Sequence, residues 1–207
     1  MTKTEIVNQS LTRIGALRIN DYDSPDSNSK VQAMNAKLHY DQTVKSLLES
    51  FDWPFARARA DLSKSTDSPP FGYDNKFLLP NDFLRPLEVY NDSDFVDAKR
   101  RWSIEGDFLL TDDDEVELIY IRNVESVNEY DSLFIEILTQ QLSLKLLPAL
   151  AGTNTNKFRE ELRFELNRSL SKVRTSILQA NNTTGRSDWN NIRYIGGSNF
   201  GSTNYRR

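Results

Sequence analysis

The 207 residues include no cysteine, which excludes a disulfide framework, a thiol nucleophile and any cysteine-based metal site. A hydrophobic share of 38% with 11% aromatics supports one good core and is unlike the composition of a disordered chain. The net charge of −4 is uneven: Arg186, Arg193, Arg206 and Arg207 against Asp188 leave +3 from Asn181 onward and −7 on the body, which argues against broad binding of a phosphate backbone.

Thr2 followed by Glu5 is a capping-box pattern, and Ile6, Val7, Leu11 and Ile14 continue at helical spacing to Gly15. An Asn- and Asp-rich connector reaches Asp23. Ser24 as cap and Pro25 at the first helical position open a long helix-forming run to Asp61, punctuated by Phe51-Asp52-Trp53-Pro54-Phe55. Val31, Met34 and Leu38 lie on one side of that run and Tyr40, Val44, Leu47 and Phe51 on another. The stripe therefore jumps near His39, so that the helix bends there or its first half faces a neighbouring protein. Trp53, Pro54 and Phe55 form the hinge from the helical bundle to the inserted sheet. From Phe55 an extended reading puts Phe55, Arg57 and Arg59 on one face and Ala56, Ala58 and Ala60 on the other; a continued helix is the alternative.

After a polar loop at Ser63–Pro70, short runs at Lys76–Leu79, Leu87–Tyr90, Trp102–Leu110 (with Gly106-Asp107 as a turn) and Val116–Arg122 predict a small antiparallel sheet. A third helix, Leu133–Leu147, is capped by Asp131 or Ser132 and ended by Pro148 and Gly152. It is apolar nearly all round and so belongs at the centre. The fourth helix, Thr155–Gln179, carries Phe158, Leu162, Leu166, Leu170, Val173 and Ile177 on one stripe and leaves Phe164 off it, facing another protein. After Ala180 the composition cannot offset an ordering cost of about 1–2 kcal/mol per residue, which predicts a flexible arm. Its Trp189, Ile192, Arg193, Tyr194, Ile195, Phe200 and Tyr205 suit folding on a partner. The expected fold is α+β and mainly helical: a four-helix-type bundle from 1–60 and 127–180, an inserted β subdomain at 61–126, and a C-terminal arm at 181–207.

The place for chemistry is the acidic group Asp107, Asp112, Asp113, Asp114, Glu115 and Glu117. Paired carboxylates there could serve a polysaccharide or peptidoglycan hydrolase. The spacing fails the calcium-loop pattern, and a solvated hairpin turn is the favoured reading. His39 is the single histidine and no phosphate-cradling glycine loop occurs, so no catalytic residue, metal site or cofactor is expected. Arg57 and Arg59 read as structural partners of Asp52 or Asp61. Met1-Thr2-Lys3-Thr4-Glu5 lacks the apolar core of a signal peptide and no uninterrupted run of about 18 apolar residues occurs, which predicts a soluble protein with no membrane contact.

The ordered set Ile6-Val7-Asn8-Gln9-Ser10-Leu11-Thr12-Arg13-Ile14-Gly15, Leu47-Leu48 to Trp53-Pro54-Phe55-Ala56, Leu79-Pro80-Asn81-Asp82-Phe83-Leu84-Arg85 and Gly106-Asp107 to Leu110-Thr111 resembles the head-to-tail adaptor of short-tailed bacteriophages, the tail tubular protein A family. The resemblance implies a virion structural protein made in the host cytoplasm. Such proteins form a homo-oligomeric ring, usually of twelve copies, between the portal protein and the tail nozzle protein, with genomic DNA passing through the lumen. It implies no enzyme activity. On this reading Val31, Met34, Leu38 and Phe164 are subunit-contact candidates and the arm binds the portal.

Overall fold

The chain enters its first helix, α1 (Lys3–Arg13), through a complete capping box: Glu5 N–H donates to Thr2 Oγ1 at 3.2 Å and Thr2 N–H to Glu5 Oε2 at 2.9 Å. The structure, a computed structural model, describes residues 1–90, 102–150 and 156–181. Gly15 closes α1 with φ +68°, the left-handed region, and a Cβ there would meet nothing within 4 Å. Gly15→Ala is therefore expected to cost backbone strain alone, about 1–2 kcal/mol, read as a lower urea midpoint at unchanged slope.

The second helix, α2, spans Lys30–Ser50 and does not begin at Ser24. The polar side chains before it form their own turn. Asp26 Oδ1 accepts from Ser29 N–H at 2.9 Å and from the Ser29 hydroxyl, while Asn20 Oδ1 accepts from Asp26 N–H at 3.1 Å. Such local bonds offer the backbone an alternative to the helix. Inward-facing positions then run without a break through Ala33, Ala36, Tyr40, Thr43, Val44, Leu47 and Leu48. The stripe does not jump at His39: two alanines carry its first half, so the helix lies along one core while Val31, Met34 and Leu38 point outward. It stops at Ser50, because Phe51 is already extended and Pro54 opens a single 3₁₀ turn, Pro54–Ala56.

Strands replace the helical alternative from Arg57. The first is β1 (Arg57–Asp61), with its arginines exposed and its alanines half-buried. It is followed by β2 (Ser63–Lys64), β3 (Asn75–Leu78), β4 (Phe83–Tyr90), β5 (Trp102–Glu105), β6 (Phe108–Thr111) and β7 (Glu117–Arg122). The expected single sheet is two antiparallel sheets among the described residues, ordered β1-β7-β4 and β2-β3-β6-β5. The chain changes sheets at Leu62, after β3, after β4 and between β6 and β7, so Asp112–Glu115 is a crossing between sheets and not a hairpin turn. Pro86 is tolerated because β4 is an edge strand, and the ladder is irregular on both sides of it. Gly106, at φ +59°, makes the tight turn between β5 and β6.

The sheets stack face to face over Phe77, Leu79, Leu109, Val116, Leu118 and Tyr120. The opposite face of β7 sends Ile121 into the helical core. That core is centred on α3 (Ser132–Leu150), which α1, α2 and α4 (Asn156–Asn181) all contact. Asp131 Oδ1 accepts from Phe134 N–H at 2.7 Å and caps α3. Pro148 does not end it, since a missing donor in the last turn still allows the helix to run on to Leu150. By length and composition Ser132–Leu150 could cross a membrane, but half of that window is buried within the protein. Two of its buried polar residues bond across the core: Ser143 Oγ donates to Ser10 O at 3.0 Å, and Gln140 Nε2 to Ser169 Oγ at 3.1 Å, while Gln140 Oε1 is buried without a partner. Leu162 and Val173 of α4 are buried in the core, with Phe158, Leu166, Leu170 and Ile177 packed against it. The chain is thus a mixed α+β protein.

Candidate functional site

The acidic crossing between β6 and β7 is tied to its own surroundings. Asp114 pairs with Lys64 at 2.8 Å, and that hydrogen bond and charge lower its carboxyl below the usual range. Asp113 accepts from the Thr111 hydroxyl at 3.0 Å, Asp112 Oδ1 from Asp74 N–H at 3.2 Å, and the Asp113 carbonyl from Asn75 Nδ2 at 2.9 Å. These bonds anchor the crossing to β2, β6, and the start of β3 with the residue before it. No three acidic or histidine side chains among the described residues stand close enough to hold a metal ion. His39 is half-buried in mid-helix. Arg57 and Arg59 form no ion pair among the described residues. The partner of Asp52 is Arg85, a residue that sequence reading did not connect with it.

Trp53 is 1% exposed, and its Nε1 donates to Leu47 O at 2.8 Å. Phe134 of α3 meets it edge to face at 5.1 Å between ring centroids and meets Phe55 at 5.2 Å. Trp53 and Phe55 thus lie where α2, β1 and α3 converge, with Pro54 setting the turn between them.

Two outward apolar features stand on different helices. Val31, Met34 and Leu38 of α2 are 61%, 61% and 71% exposed, one beneath another at i, i+3 and i+7; Phe164 of α4 is 72% exposed. The arm residues Trp189, Ile192, Arg193, Tyr194, Ile195, Phe200 and Tyr205 lie outside the described residues.

A cleft of about 290 Å³ between α1, α2 and the segment after β7 went unnoticed in the sequence. Tyr40 is buried on its floor with no hydrogen-bond partner for its hydroxyl, and Tyr130 donates to Val124 O at 2.9 Å. The ammonium of Lys3 lies 5.6 Å from the Tyr40 ring centroid and 5.9 Å from that of Tyr22. No spacing signal joins these residues, because Tyr22 and Tyr130 sit in connectors. Burial, then the carboxylates of Asp41 and Asp23, pushes Tyr22 up to about 12; burial, then Asp41 and Glu125, does the same to Tyr130. Burial also raises Tyr40. These phenols ionise more easily in the unfolded chain, so their contribution to stability is whole below pH 10 and is lost as pH rises through 12. Base titration is expected to unfold the protein in that window, with loss of helical circular dichroism coinciding with late-appearing tyrosinate absorbance. Tyrosinate from these three groups while the helices remain intact would contradict this.

No protein-family model matches the chain, and no curated protein matches it significantly.

Proposed function

We propose that this chain is a virion structural protein: a head-to-tail adaptor whose copies form a ring between the capsid portal and the tail nozzle and surround the DNA channel. On this reading residues 1–60 and 127–180 act as a four-helix-type bundle, 61–126 as an inserted β subdomain, and 181–207 as an arm that docks on the portal. The ring is of the order of twelve copies by family resemblance. The observation that carries the reading is the pair of exposed apolar features on separate helices, Val31, Met34 and Leu38 on α2 and Phe164 on α4. A head-to-tail ring uses two different patches of each subunit, and these supply two. The ordered sequence elements that resemble the adaptor family support it independently. The excess of negative charge on the body suits a channel that lets DNA phosphates pass without holding them.

Electron microscopy of the protein mixed with its portal tests the proposal. A stacked ring is expected at the portal vertex, and a chain lacking residues 181–207 is expected to stay folded and fail to attach. Normal decoration of portals by the truncated chain would remove the assignment of the arm; persistent monomers beside intact portals would remove the adaptor reading itself.

A further inference from the structure

Where α2 stops at Ser50 the chain turns aside and leaves a groove of about 430 Å³ against the last turns of α4. Its apolar part is Phe51 and Ile177, both half-buried, with Glu49, Asp52, Arg85 and Arg174 around them. Phe51 cannot sink further, because Trp53 fills the core beside it at 5.7 Å between ring centroids. Asp52 and Arg85 pair with each other, which leaves Glu49 and Arg174 as rim charges of opposite sign without an ion pair among the described residues. These charges select no occupant.

We infer that this groove is the docking site of the chain's own residues 182–207 until a portal is met, with Trp189 as the anchor. The tether names the occupant. Helix α4 ends at Asn181, four residues beyond Ile177 and hence about 6 Å further along its axis. The eight residues from Asn181 to Trp189 span up to about 26–29 Å, several times what a return to the groove requires, and Gly185 within them is free to reverse the chain. Trp189 is also the first apolar side chain after Ala180, so nothing nearer on the tether competes for the site. A segment held on so short a link meets the groove at an effective concentration of about millimolar, an advantage that neither a second copy nor a free partner has. Burial of the indole on Phe51 and Ile177 supplies the attraction. Groove and portal then compete for the same side chain, so the arm is kept from other surfaces until a portal displaces it. Only that displacement rests on the adaptor reading; the docking itself does not.

The absence of cysteine gives a clean test in the full-length chain. Asn190→Cys, next to the anchor, is combined with Ser50→Cys in the groove, and the rate of intramolecular disulfide formation is measured under mild oxidation. The control pairs Asn190→Cys with Thr175→Cys, which is exposed on α4 two residues before Ile177 and therefore on the opposite side of the helix, at nearly the same distance from the tether's origin. The groove pair is expected to close about tenfold faster than the control, a factor that part of the burial of one aromatic ring supplies. Adding Trp189→Ala to the groove pair is expected to bring it down to the control rate. Equal rates for the two pairs, or a fast groove pair that Trp189→Ala leaves unchanged, would overturn the proposal. Disulfide-linked dimers in place of the intramolecular product, detected by mixing chains with tags of different size, would overturn it in favour of arm exchange between copies. Adding portal is expected to slow the groove pair to the control rate. Rings on portals in a protein whose groove pair is no faster than the control would remove the docking and leave the adaptor reading intact; a fast, Trp189-dependent groove pair in a protein that never decorates portals would do the reverse.

Discussion

Trp53→Ala is expected to lower the unfolding free energy by about 3–5 kcal/mol, the largest loss from any single side chain of the α2–β1 junction. The indole is fully buried, so its removal forfeits transfer free energy and leaves a void that three elements line. Phe134 loses its edge-to-face partner at 5.1 Å and Phe51 its partner at 5.7 Å. The Leu47 carbonyl also loses its donor. The helix ends three residues beyond Leu47 and Phe51 is extended, so the indole N–H donates to a carbonyl in the last turn of α2. In a chain of this size such a loss corresponds to a fall in melting temperature of roughly 6–20 °C. Trp53→Phe separates the two contributions. It keeps most of the ring packing and removes the hydrogen bond, so a loss of about 1–3 kcal/mol is expected. Urea denaturation followed by circular dichroism measures both; a Trp53→Ala loss under 1 kcal/mol would mean that the junction collapses without cost.

How much of this was legible in the sequence depends on the range of the interaction concerned. The capping box at Thr2, the Asp131 cap and the stripe of α4 were legible because each is set by residues three or four apart. The start of α2 was misplaced because Ser24-Pro25 satisfies a local rule, while Asp26, Ser29 and Asn20 satisfy one another over nine residues and win. The apparent break in α2 came from following Val31, Met34 and Leu38, the side read as bending away or facing a neighbour, while passing over Ala33 and Ala36, which carry the core side of the first half. A methyl side chain carries almost no hydropathy signal, yet it is what a close helix contact requires. Strand runs were found where they alternate, but their partition into two sheets depends on which strands pair. That is a long-range fact: β1 and β7 are joined across some sixty residues. The acidic crossing was placed correctly between Leu110 and Val116 but misread as a hairpin, because a turn signal does not reveal that its flanking strands pair elsewhere. The cleft around Tyr40 was invisible for the same reason, since Lys3, Tyr40 and Tyr130 come from three elements. The outward positions of Val31, Met34, Leu38 and Phe164 could be anticipated because a helix wheel states what faces away from a core as clearly as what faces toward it.

Leu118→Ala is the second substitution with a large expected effect, about 2–5 kcal/mol, and its signal should appear far from the mutated site. Leu118 is fully buried between the two sheets, whereas Ile121, three residues along the same strand, is fully buried among the helices. Strand β7 is the middle strand of its sheet, paired with β1 over Arg57–Asp61 and with β4 over Phe83–Tyr90. Any state that keeps the helical core but releases the sheets must therefore pull Ile121 out of that core or bend β7 within three residues. Both options expose buried apolar area and unpaired backbone groups. The two cores should accordingly unfold as one unit despite being separate clusters. In a Trp102→Phe, Trp189→Phe background, fluorescence reports Trp53 in the helical core alone. Leu118→Ala is expected to shift that transition to lower urea by as much as Ile121→Ala does, and in step with circular dichroism. A Trp53 transition left in place by Leu118→Ala, with strand signal lost earlier, would show instead that the sheets open independently of the helices and that β7 yields between Leu118 and Ile121.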